Sequence, residues 1–199
     1  MKPQLFHTEQ RIKRLKDVLS KRQTTLTVVL ENINDPHNLS AALRSCDAVG
    51  IYEVCLVYYG GQPFPKLGAK SSASARKWIH IRKYKSVEDC FAELRKEDKK
   101  IYTTHMSKES VSLYDLKLTQ PTALVFGNEH SGVSEEAVNL ADGNFLIPQV
   151  GIIQSLNISV AVAVSVYEAF RQRCEAGMYD KPQFKKVELN KLLEEWGKK

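Results

Sequence analysis

Residues Thr25–Tyr58 read TLTVVLENINDPHNLSAALRSCDAVGIYEVCLVY. The first seven, TLTVVLE, form a β-branched apolar run of strand length, a composition that suits a buried, pleated surface. Asn32 to Asn38 is rich in turn formers and contains Asp35-Pro36. Leu39 to Ala48 then reads as a helix, with Asn38 as its cap and Gly50 as its stop. Tyr52 to Tyr58 reads as a second strand.

The same alternation continues along the chain. Trp78 to Ile81 reads as a short strand and Ser86 to Lys96 as a helix capped by Ser86, with Glu88 and Asp89 in its first turn. Strands follow at Lys100 to Thr104 and at Thr122 to Phe126. Ser134 then caps a helix that starts with two glutamates. Asn144 to Ile147 is a short last strand, and Ser155 to Ala176 a long helix. Strands separated by helices imply an α/β fold with a mainly parallel sheet. Ligands bind such sheets outside the carboxyl ends of the strands, so the loops after Glu31, Thr104, Phe126 and Ile147 are the candidate site.

Two segments flank this region. Glu9 to Lys21 places Ile12, Leu15, Val18 and Leu19 at helical spacing among Arg11, Lys13, Arg14 and Lys16, an amphipathic basic helix. Its charges suit either plain solvation or an RNA partner. The tail, Lys181 to Lys199, is charged, with Val187, Leu189, Leu192, Leu193 and Trp196 as apolar contacts of a peripheral helix. The expected division is a basic helical extension over 1–24, one α/β domain over 25–178, and a helical tail over 179–199.

With 199 residues, 43% hydrophobic and 26% charged, the chain can bury a core of its own, which excludes disordered and collagen-like classes. The net charge of +6 favours a polyanionic partner. No apolar run is long enough to span a bilayer, and Met1 to Gln10 has no apolar signal core. The four cysteines, Cys46, Cys55, Cys90 and Cys174, are widely spaced. The expectation is a cytoplasmic protein without disulfides, zinc or another metal, and without a membrane partner. The five histidines do not stand at metal-ligand spacing. The strand ends also lack a dinucleotide fingerprint, a P-loop and a nucleophile elbow.

Three segments at strand ends carry chemistry instead. In PHNLSAALRSCDAVG (Pro36–Gly50), Arg44 offers a planar fork that suits phosphate. In LVFGNEHSGVSEE (Leu124–Glu136), Gly127 and Gly132 permit a tight loop with close ligand approach, and Glu129 can accept from an amine, a hydroxyl or an arginine. In IPQVGIIQSLNISVAVAVSVYEAF (Ile147–Phe170), Ser155 and Asn157 precede a stretch that is apolar on every side. Such a helix is buried all round, either in a monomer's core or against a second subunit. Taken singly, each segment also has a plain reading: a cap with a surface arginine, a solvated glutamate, a core helix.

Together, in this order and spacing, the three segments resemble the signature motifs of the SpoU branch of the trefoil-knotted RNA methyltransferases, over Leu26 to Met178. TVVLENINDPHNLSAALR, with Ser40 where many relatives carry glycine, resembles the TrmH group most closely. The resemblance implies a deep C-terminal trefoil knot, a rare exception to the rule against threaded chains. It implies transfer of a methyl group from S-adenosylmethionine to the ribose 2′-hydroxyl of guanosine 18 in the D-loop of tRNA, by a homodimer. It assigns the catalytic set to Arg44, Asn38, Glu129, Ser155 and Asn157. It assigns cofactor binding to Thr103, Thr104, His105, Gly127, Asn128, Ile147, Gln149, Gly151, Ser155, Leu156 and Asn157. RNA contacts would come from Arg11, Arg14, Arg22, His37, Arg171 and Arg173, which supply phosphate affinity rather than base identity.

Guanidinium pKa lies above about 12, so Arg44 is expected to stay charged, clamping a phosphate and stabilising the developing alkoxide rather than acting as a neutral base. The nearest rival is a ribosomal RNA 2′-O-methyltransferase, which often carries an N-terminal RNA-binding domain that has no room before Thr25. A non-catalytic RNA-binding module would explain the charge but not the five catalytic candidates together.

Overall fold

The computed structural model describes residues 8–65, 75–107, 109–153 and 155–199. The first residues of the expected extension, 1–7, and residues 66–74 lie outside them. Among the described residues, seven strands form one sheet: β1 (Gln23–Glu31), β2 (Ile51–Val57), β3 (His80–Tyr84), β4 (Lys100–Thr104), β5 (Val111–Ser112), β6 (Thr122–Phe126) and β7 (Gly143–Leu146). Their order is β3-β2-β1-β6-β4-β7-β5, and each neighbouring pair is parallel. β1 lies next to β2 on one side and β6 on the other, so the loops after Glu31 and Phe126 emerge together.

Among the described residues, six α-helices accompany the sheet: α1 (Glu9–Ser20), α2 (Pro36–Ala48), α3 (Val87–Lys96), α4 (Glu135–Leu140), α5 (Ile158–Glu175) and α6 (Lys186–Gly197). The twofold alternation of strand side chains divides the core. Leu26, Val28 and Leu30 of β1, with Leu124 and Phe126 of β6, pack toward Leu39, Leu43 and Cys46 of α2 and Val162, Val166 and Ala169 of α5. Val29 of β1, with Ala123 and Val125 of β6, packs toward Val87, Cys90, Phe91 and Leu94 of α3 and Ala137 of α4. Strands buried on both faces explain why TLTVVLE and TALVF read as continuous apolar runs.

A third, smaller cluster joins the two flanking segments. Leu15 and Leu19 of α1 pack on Trp196 of α6, with Leu189, Leu192 and Leu193 around them. The tail is therefore a docked helix. Gln183 anchors the approach to it, accepting from the Thr24 N–H at 2.8 Å and donating to Gln23 Oε1 at 2.7 Å.

The anticipated elements recur with four corrections. α2 begins at Pro36, not Leu39. Asp35 is its cap, accepting from the His37 N–H at 2.8 Å, and proline occupies the first turn, where its missing donor costs nothing. Asn38 thus lies inside the helix, free for other bonds. α5 begins at Ile158, and its cap is Asn157, which accepts from the Ser159 N–H at 2.9 Å; Ser155 stands upstream. The strand expected at Trp78 to Ile81 runs instead from His80 to Tyr84, after a 3-10 turn at Ala75–Lys77. Two-residue β5 had no readable pattern, because its place comes from pairing with Phe145 and Leu146.

Candidate active site

The β6–α4 loop builds one wall of the site. A Cβ on Gly127 would lie 2.1 Å from the backbone of Gly132 and Val133, so only glycine fits there. Asn128 and Gly132 exchange both backbone hydrogen bonds at 2.9 Å, and Gly132 has φ +71°, the left-handed region glycine enters without strain. Asn128 Oδ1 accepts from the His130 and Ser131 N–H groups at 2.9 and 3.3 Å. The hairpin that results presents Glu129.

A chain of hydrogen bonds that joins the three sequence segments starts at Glu129. Glu129 Oε1 accepts from Asn38 Nδ2 at 3.0 Å, across 91 residues, and its Oε2 from the Asn34 N–H at 3.4 Å. Asn38 Oδ1 accepts from Asn157 Nδ2 at 3.0 Å, across 119 residues. Asn157 Oδ1 then accepts from the Ser159 hydroxyl at 2.6 Å. One chain of hydrogen bonds therefore fixes both Asn38 and Asn157 by their amides, with Glu129 as the terminal acceptor. Arg44 stands six residues beyond Asn38 on α2, exposed, and no described residue pairs with its guanidinium.

Beside this chain opens a cleft of about 690 Å³, a size that suits a cofactor or nucleotide. Of the expected cofactor residues, Thr104, His105, Gly127, Asn128, Ile147, Gln149, Gly151, Ser155, Leu156 and Asn157 line it. Thr103 does not: it is fully buried, and its hydroxyl bonds to Asn144. The strand's alternation decides this, since Thr104 points the other way, donating to the Val125 carbonyl at 3.1 Å. The lining also includes Met106, Phe145, Leu146, Ile158 and Ala161, which the sequence reading did not single out. An apolar residue beside a functional loop carries no mark of its own in a sequence. Among the described residues, no cluster of three or more His, Cys, Asp or Glu side chains is arranged to hold a metal ion.

The six expected RNA contacts separate into groups. Arg11, Arg14 and His37 are exposed at the surface. Arg171 is exposed too, but it pairs with Glu168 at 2.8 Å and Glu175 at 2.7 Å, which offset its charge. Arg22 and Arg173 are corrected. Arg22 is 1% exposed, bonds to Asp47 Oδ1 and the Ile51 carbonyl, and stacks over Trp196. Arg173 is wholly buried, and its five donors meet the carbonyls of Leu118, Thr25 and Gln120, the Gln23 side chain and the Thr25 hydroxyl. Burial pushes its pKa down to about 10, which leaves it charged near neutrality. Both guanidinium groups hold segments of the chain together and present nothing to a phosphate.

Comparison with known proteins bears on this arrangement. A family model described as the SpoU rRNA Methylase family matches residues 25–167. The chain is 43% identical over 193 residues to a tRNA (guanosine(18)-2′-O)-methyltransferase of Thermus thermophilus, covering 96% of this chain and 98% of that protein. The crystal structure of the Aquifex aeolicus TrmH/SpoU tRNA modifying enzyme superposes with a TM-score of 0.88 at 41% identity, over 96% of each chain. The SpoU methyltransferase AviRb from Streptomyces viridochromogenes, solved in complex with the cofactor AdoMet, superposes with a TM-score of 0.67 at 25% identity, over 78% of this chain and 62% of that one.

Proposed function

The chain belongs to the SpoU methylase family, and from that premise we propose that it is an S-adenosylmethionine-dependent tRNA ribose 2′-O-methyltransferase acting on guanosine 18 of the D-loop. The observation that carries this reading is the hydrogen-bond chain Glu129–Asn38–Asn157, which ties three distant segments together at the mouth of the cleft. A non-catalytic module has no need of such an arrangement.

The cleft fits the cofactor. Its walls offer backbone groups at Gly127, Ile147 and Gly151, apolar faces at Leu156 and Ala161, and a glycine at 127 whose Cβ-free surface the loop requires. When bound, S-adenosylmethionine supplies an electrophilic methyl group on a sulfonium. The residues of this chain do the rest. Arg44, exposed on α2, holds an RNA phosphate and stabilises the 2′-oxygen as its proton passes to solvent water. Asn38 and Asn157, locked by their amides, hold the ribose in line with the methyl donor. Reactive contact needs about 3–3.5 Å and correct direction, so such locking contributes directly to rate. Ser155, exposed on the loop before α5, closes the rim.

The wider assembly follows from the same reading. β7 lies in the sheet between β4 and β5, two strands joined by the short segment that follows Thr104. A later strand inserted between two earlier ones supports the threading of a trefoil knot. On α5, Val160 and Tyr167 are 45% and 52% exposed, and Val150 and Ile152 stand fully exposed on the preceding loop. An apolar face of this kind supports a homodimer with the site at its interface. α1, with Arg11 and Arg14 exposed, helps to hold tRNA, and the reaction belongs in the cytoplasm.

The test is transfer of labelled methyl groups to unmodified tRNA and, in a parallel arm, to ribosomal RNA, with Arg44→Ala as control. Label at the ribose of guanosine 18 is the expected result. Label in ribosomal RNA alone, or none in either, overturns the reading.

A further inference from the structure

β1 enters the first active-site segment through Asn32, whose φ is +49°. Side chains rarely accept that conformation, and asparagine is one of the few that do. The reversal turns two polar groups of Asn32 toward the end of β2 and its carbonyl toward the loop after β6. Its N–H donates to the Val57 carbonyl at 2.9 Å, and its Oδ1 accepts from the Tyr59 N–H at 3.2 Å. Its carbonyl accepts from Asn128 Nδ2 at 2.8 Å. One residue thus joins the ends of β1, β2 and β6. Both ends of the Asn128 amide serve the loop: its nitrogen donates to Asn32, and its oxygen accepts from the His130 and Ser131 N–H groups.

The bonds around this joint point the same way. Glu31, 2% exposed, accepts from the Tyr59 hydroxyl at 2.5 Å and the Ser134 N–H at 3.1 Å. Tyr58 donates its hydroxyl to the Ile33 carbonyl at 2.7 Å. Two residues after Asn32, the Asn34 N–H holds Glu129; one residue after Asn128 comes Glu129 itself. The distance between Glu129 and Asn38 therefore depends on how the two loops are tied behind them.

We propose that Asn32 is a positioning residue for methyl transfer, acting through its left-handed backbone and its carbonyl bond to Asn128 to set Glu129 against Asn38. It touches neither RNA nor cofactor. The proposal rests on the function argued above, and it reassigns the Asn128 side chain from cofactor binding to loop construction.

The experiment compares wild type, Asn32→Ala and Asn32→Gly by steady-state kinetics and by amide hydrogen exchange. Alanine resists the positive φ, so Asn32→Ala should lower kcat on the order of 10- to 100-fold, since a misplacement of about 1 Å suffices for that. KM for tRNA should stay within about threefold. Exchange should quicken at Asn128 and Gly132 while the sheet amides stay protected. Glycine adopts the turn freely and keeps the carbonyl, so Asn32→Gly should recover most of both. Unchanged exchange at Asn128 and Gly132 in Asn32→Ala overturns the proposal, as does loss of kcat in Asn32→Gly equal to that in Asn32→Ala. The exchange arm needs no turnover. A wild-type sample inert toward RNA would sink the functional reading and leave the positioning role to be judged by exchange alone.

Discussion

Arg44 and Arg173 are the same side chain in opposite surroundings. Arg44 faces solvent with no described partner; Arg173 is wholly enclosed by five neutral acceptors. Different consequences follow from substitution. Arg44→Ala should abolish transfer while leaving the melting temperature within a degree or two of wild type, because an exposed side chain away from the core contributes little to stability. Arg44→Lys keeps the charge but not the bidentate fork, and should lose on the order of 100-fold in kcat. Near-full turnover by the lysine variant would refute the clamp. Arg173→Met should instead destabilise the chain by about 3–4 kcal/mol, because buried carbonyls lose their donors. A chemical-denaturation midpoint reads this directly. The salt dependence of tRNA binding should not change in that variant, which separates a structural arginine from a phosphate contact.

α1 owes its position to one apolar face. Leu15 and Leu19 are buried against Trp196 of α6, while Arg11, Lys13, Arg14 and Lys16 face outward. The periodicity that makes the helix amphipathic therefore also assembles the cationic face. Replacing Arg11 and Arg14 together by alanine should weaken tRNA binding at low salt and reduce the slope of log affinity against log salt by about 1–2. An unchanged slope would remove α1 from the RNA interface. α5 had looked apolar on every side, and one of its faces is packed in the core. Val162, Val166 and Ala169 lie in the core, whereas Val160 and Tyr167 stay exposed. Composition alone does not say which apolar residues of such a helix the monomer leaves uncovered.

At the scale of the molecule, that uncovered face and the exposed Val150 and Ile152 form the surface a second copy would bury. Light scattering should give the mass of two chains. Val160→Lys combined with Tyr167→Lys should give one chain, with methyl transfer lost and S-adenosylmethionine binding weakened. A wild-type monomer with full turnover would refute the paired assembly. The architecture itself was legible in linear form. Apolar runs bounded by turn formers marked β1, β4 and β6, and capping residues marked α3 and α4, because caps, strand alternation and helical spacing depend on neighbours a few residues away. The three candidate-site segments could be picked out for the same reason, each being contiguous in the chain at a strand end. What the linear pattern left open is whatever depends on distant partners. Asn38 could have capped α2, yet it bonds to Glu129 and Asn157, 91 and 119 residues away. Arg22 and Arg173 were expected at an RNA surface from the family resemblance. They are enclosed because folding brings carbonyls and a carboxylate around them in a low-dielectric interior, where an unpartnered charge would be too costly to keep.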